Sequence, residues 1–87
     1  MCRNITTLRG LEPPATSEEI ESAARQYVRK VSGVTRPTTA TEAAFERAVA
    51  TVARATAEVL QGLPPRRQPP KADPPLRRPE VRARMHR

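Results

Sequence analysis

The chain has 87 residues, a net charge of +7, and only Tyr27 and Phe45 as aromatic side chains. That length allows one domain at most. Cys2 is the only cysteine, which excludes an intramolecular disulfide, and no apolar run approaches the length of a membrane span.

The first residues, MCRNITTLRG, contain no apolar signal-peptide core, so a cytoplasmic protein is expected. Fourteen arginines against two lysines suggest a GC-rich bacterial genome. Ile5, Leu8 and Leu11 follow at intervals of three, and Pro13 and Pro14 stop any helix or central strand there.

A strong helix start comes next. Thr16 and Glu19 have the spacing of a capping box, and Glu18, Glu19 and Glu21 place negative charge at the positive end of the helix dipole. Ile20, Ala23, Ala24, Tyr27, Val28 and Val31 then form one apolar stripe of helical period. Glu21 and Arg25 make an i,i+4 pair, Arg29 and Lys30 suit the last turn, and Gly33 with Val34 reads as a left-handed stop. These signals predict a helix over about 17–32.

After a joint containing Pro37, Thr39 and Glu42 have the spacing of a second capping box. Phe45, Ala48, Val49, Val52, Thr56, Val59 and Leu60 form a second stripe, which Gly62 and Pro64–Pro65 end. A helix over about 40–61 is predicted, and the two together read as an antiparallel helical hairpin. The fold class expected is all-α: a short N-terminal segment, the two-helix hairpin, and a disordered basic tail.

The division falls near residue 62. Residues 1–62 carry eight basic and seven acidic side chains, a net of +1, whereas residues 63–87 carry eight basic against Asp73 and Glu80, a net of +6. Seven of the ten prolines also lie in 63–87, a density that favours extended chain over a packed core. The expectation is a helical domain over 1–62 and a disordered tail over 63–87 that folding can do without.

Several residues are more specific than folding requires. They are Met1-Cys2-Arg3-Asn4-Ile5, Glu12-Pro13-Pro14-Ala15-Thr16, Gln26-Tyr27-Val28-Arg29-Lys30, Ser32-Gly33, Pro37 and Glu42-Ala43-Ala44-Phe45, in that order. In these motifs, over about residues 1–60, the chain resembles a bacterial family of small uncharacterised proteins whose members begin Met-Cys-Arg-Asn-Ile. The resemblance implies a small helical, cytosolic protein and no particular activity. The chain departs from the family at Val34, where an aromatic is more usual, and at Thr41, where Asn is.

Three constellations bear on function. If Met1 is removed, Cys2 stands beside a free α-amino group, an arrangement that can make a nucleophile or bind a soft metal. The only histidine, His86, is far along the chain, and no Cys/His spacing predicts a metal or cofactor. Arg29, Lys30, Ser32 and Arg36 cluster at the joint between the helices, and Arg3 and Asn4 could join them to hold a phosphate or carboxylate. In the tail, Arg66, Arg67, Lys71, Arg77, Arg78, Arg82, Arg84 and Arg87 can contact phosphates without sequence preference.

The function expected is a non-enzymatic binding module whose tail attracts RNA, DNA or another polyanion. The alternative is a small enzyme or anion-binding protein using Cys2 and the Arg29–Ser32 region. Stripes built mainly of Ala and Val leave apolar surface to cover, so a protein partner or a homodimer centred on Phe45, Val49 and Val52 is expected. Failing that, Ile5, Leu8 and Leu11 would cover the hairpin.

Overall fold

The computed structural model describes residues 5–64 and 74–77. Helix α1 runs Ser17–Ser32 and helix α2 runs Glu42–Gly62, with a short 3-10 turn at Pro75–Arg77. No strand occurs among the described residues. The order of contacts makes the hairpin antiparallel. Arg25 of α1 meets Glu46 near the start of α2, while Ile20, earlier in α1, shares a groove with Ala57 and Leu60.

Helix α1 begins as its sequence dictates. The Glu19 N–H donates to Thr16 Oγ1 at 3.1 Å, and the Thr16 N–H donates to Glu19 Oε1 at 2.9 Å. This reciprocal box satisfies two amides that a helix start otherwise leaves without partners. The helix ends at Gly33, which takes φ +74° and donates its N–H to the Arg29 carbonyl at 2.9 Å. A left-handed residue there suits glycine because a Cβ would crowd the backbone.

Helix α2 begins differently from expectation. Thr39 and Glu42 form no capping box; Thr41 holds the cap position, and its side chain makes no cap bond to the helix. The Thr41 hydroxyl instead accepts from the Thr38 N–H at 2.8 Å, and the Thr38 carbonyl accepts from the amides of Thr41 and Glu42. A closed turn over 38–41 therefore supplies the partners a box would have supplied, and the helix starts at Glu42 rather than near 40.

The core is small. Ala24 and Val28 of α1 pack on Phe45 and Val49 of α2, with Val34, Ala48, Val52 and Ala53 around them. Phe45 and Val49, expected at the centre of a dimer, are instead 5% and 2% exposed within one chain. Antiparallel pairing of the two stripes buries them, with Val34 of the joint packed alongside. Leu8 and Leu11 of the N-terminal segment are buried as well and extend the core toward the α1 start and the α2 end. The outer members of the stripes stay in solvent: Tyr27, Val31 and Val59 are all exposed. A single facing helix covers less arc than the stripes occupy.

Two polar ties close the structure at this end. The Arg9 guanidinium donates from Nε and Nη2 to the Pro64 carbonyl at 3.1 and 2.8 Å, fixing the N-terminal segment to the end of α2. The second tie involves residues 74–77, which lie within the 63–87 span expected as a disordered basic tail. Pro74 is buried, and Leu76 and Arg77 are half-buried. The remaining tail positions, 65–73 and 78–87, fall outside the described residues.

Candidate functional site

The most developed polar site surrounds Glu19. Its side chain is 4% exposed, and the capping box fixes its orientation from the Thr16 side. Arg77 reaches it from 58 residues along the chain: Nε donates to Oε2 at 2.6 Å and Nη2 to Oε1 at 3.0 Å. Nη2 also lies 2.7 Å from the Pro13 carbonyl oxygen and 3.1 Å from that of Pro14. One planar guanidinium thus meets a carboxylate through two parallel bonds and two backbone carbonyls beside it, a geometry that suits arginine and not lysine.

The electrostatics follow from that geometry. The Arg77 hydrogen bond is the largest influence on the Glu19 carboxyl, holding it below the usual carboxylate range, while burial acts the other way. Were Arg77 absent, the nearly buried carboxylate would keep its cap bonds but lose its counter-charge. Buried charges are costly without a paired partner.

A second ionic group ties the helices together. Arg25 donates to Glu46 Oε2 from Nη1 at 2.7 Å and to Oε1 from Nη2 at 2.9 Å, and Nη2 also reaches Glu21 at 3.2 Å. Its guanidinium carbon lies 5.7 Å from the centre of the Phe45 ring, within cation–π reach. Hydrogen bonding to Glu46 raises the Arg25 pKa, and the same contact lowers that of Glu46. These groups satisfy one another and sit over the core, so the cluster is a brace between α1 and α2.

At the joint suggested as an anion site, the Ser32 hydroxyl is engaged in backbone bonds. Ser32 Oγ donates to the Val28 carbonyl at 2.6 Å and accepts from the Val34 N–H at 3.1 Å. Arg29, Lys30 and Arg36 are exposed, and Arg29 is near enough to Glu46 to help lower its pKa. Cys2, Arg3 and Asn4 lie outside the described residues, as do Arg66, Arg67, Lys71, Arg78, Arg82, Arg84 and Arg87. Among the described residues no three His, Cys, Asp or Glu side chains stand together as metal ligands.

Two cavities flank the N-terminal segment. One of about 600 Å³ lies between Leu11, Pro14 and Ile20 on one side and Leu60, Leu63 and Pro64 on the other. A smaller one of about 300 Å³ is walled by Ile5, Thr6, Ala23, Tyr27, Val52 and Thr56. Thr6 Oγ1 is buried there without a hydrogen-bond partner, whereas Thr56 Oγ1 donates to the Val52 carbonyl.

Sequence reasoning reached Glu19 only as a capping residue and Arg77 only as one of eight basic tail residues. Their pairing leaves no local signal, because helix and turn patterns relate residues three or four apart. The isolated Leu76 within the proline-rich span was the one available hint that this stretch packs.

Residues 1–84 match the protein family described as "Uncharacterized conserved protein (DUF2277)", and the chain belongs to that family. The match extends well past the 1–60 span carrying the resemblance and takes in both Glu19 and Arg77. No characterised protein and no solved structure matches the chain.

Proposed function

We propose that this member of the DUF2277 family is a non-enzymatic binding module, in which a near-neutral helical body carries a basic C-terminal segment that attracts nucleic-acid phosphates. The observation that supports this reading is the distribution of charge, +1 over residues 1–62 against +6 over residues 63–87. A basic, proline-rich stretch can follow a phosphate backbone and release its counterions. The stretch has no aromatic side chain, so base stacking adds nothing and sequence preference is low. Arg77 is committed to Glu19, which leaves Arg66, Arg67, Lys71, Arg78, Arg82, Arg84 and Arg87 for phosphate. The helical body offers a protein partner or second copy the face around Ile5 and Tyr27, which are 42% and 48% exposed.

The test is fluorescence anisotropy of the full chain with a labelled single-stranded oligonucleotide across a salt series. Affinity falls as salt rises, with a logarithmic slope no steeper than about −5 for seven phosphate contacts. Replacing Arg66, Arg67, Arg82 and Arg84 by Gln removes most of the binding, and Arg29→Gln with Arg36→Gln leaves it intact. Binding that ignores salt, or that is lost with Arg29 and Arg36, overturns the reading and favours an anion site at the joint. Selective alkylation of Cys2 at neutral pH would point to the enzymatic alternative.

A further inference from the structure

Most of the Glu19 site is built without Arg77. Thr16 and Glu19 fix each other through the capping box, so the carboxylate is oriented by α1 itself. The Pro13 and Pro14 carbonyls stand beside it on a backbone stiffened by two consecutive prolines. Three acceptors from a short continuous stretch of chain thus converge on one point. What fills that point comes from elsewhere: the Arg77 guanidinium, 58 residues along the chain from Glu19, delivered on the short turn Pro75–Arg77 that follows the buried Pro74.

We propose that Pro13, Pro14 and Glu19 form a receptor site for an arginine side chain presented on a proline-flanked peptide, and that the chain's own Arg77 occupies this site as an intramolecular ligand. The class of ligand follows from the acceptors. A buried carboxylate demands a cation, and its two oxygens with the adjacent carbonyls demand several donors in one plane. Guanidinium supplies that pattern, whereas an ammonium is a point charge with donors in a cone. The prolines of the ligand contribute low conformational freedom in the free state, which lowers the cost of docking.

Occupation by the tethered segment controls access. A tethered ligand experiences an effective concentration in the millimolar range, so an external peptide of equal intrinsic affinity is largely shut out. The wild-type chain is therefore self-blocked, and a partner bearing the same motif enters only where the internal segment is displaced. This is a docking site for an arginine-bearing protein segment, and it is separate from phosphate attraction by the other basic residues.

The probe is a fluorescent peptide spanning residues 72–79 of this chain, titrated into full-length variants. Arg77→Ala, with the site vacated, binds the peptide. The wild type binds it at least about tenfold more weakly because of the tethered competitor. The double variant Glu19→Gln, Arg77→Ala does not bind it. Gln at position 19 retains the capping box and removes the charge, so this control keeps its helix start. Equal binding to Arg77→Ala and to the double variant, or no binding to a helical Arg77→Ala chain, overturns the proposal. Equal binding to wild type and Arg77→Ala overturns the tethered occupancy.

Should Arg77→Ala fail to fold, NMR of the wild-type chain decides instead. The Arg77 Nε–H is expected to exchange slowly with solvent and to shift in Glu19→Gln. An Arg77 signal that exchanges as fast as a free arginine and ignores position 19 refutes the site.

Discussion

At the Glu19 carboxylate, burial and pairing act against each other. Burial favours the neutral acid, and the Arg77 fork favours the anion and prevails, so the folded pKa lies below the ordinary value. A group whose pKa is depressed on folding contributes stability above its unfolded pKa, and that contribution disappears as the pH falls through the folded one. Arg77→Ala removes the favourable influence and leaves burial in place. We expect the variant to lose about 3 kcal/mol near neutral pH, the scale for stripping one partner from a largely buried pair. The gap between the wild-type and variant melting temperatures should close as both are acidified below the usual carboxylate range. A gap that is constant with pH would show that Arg77 contributes only through packing.

The two helix-ending glycines separate at the scale of the elements. In the sequence both follow an apolar stripe and both read as stops. Gly33 is a left-handed cap at φ +74°, and a methyl group there would face open space beyond its immediate chain neighbours, so an Ala meets backbone strain and nothing else. Gly62 is the last residue of α2, also with open space around it and without a positive φ. Leu63 ends that helix by turning to ψ 146°, as a residue before proline prefers. Gly33→Ala should therefore cost roughly 1 kcal/mol, and Gly62→Ala should add roughly 0.5–1 kcal/mol by restricting the unfolded chain. Urea melts of the two variants read the opposite signs directly. Destabilisation by both would mean that Gly62 is needed at the α2 terminus. The existence of both helices and the bounds of α1 were legible because apolar periods and the Thr16–Glu19 cap are local. The start of α2 was not, because Thr39 and Glu42 have capping-box spacing but the turn over 38–41, held by the Thr41 hydroxyl, supplies the bonds instead.

Across the whole molecule, the composition places a boundary at residue 62, and the packing crosses it. Charge and proline density change there, and a tail that folding can do without is the expectation that follows from composition. Among the described residues, Arg9 binds the Pro64 carbonyl, Pro74 is buried, and Arg77 neutralises the one buried acidic side chain. Composition reports whether a stretch can build its own core; it carries no information on whether the stretch completes another. That completion matters here because, among the described residues, the core has six buried hydrophobic side chains, two of them Leu8 and Leu11 from outside the hairpin. Small domains have only about 5–15 kcal/mol in hand, and each kcal/mol moves the melting temperature of a 60–100-residue domain by roughly 4–8 °C. A chain ending at residue 73 should thus remain helical when cold and melt about 10 °C or more below the full chain. Arg77→Ala in the full chain should reproduce most of that drop. If truncation lowers the melting temperature and Arg77→Ala does not, burial of Pro74 and Leu76 holds the segment. If neither does, the basic segment is as dispensable as its composition suggests.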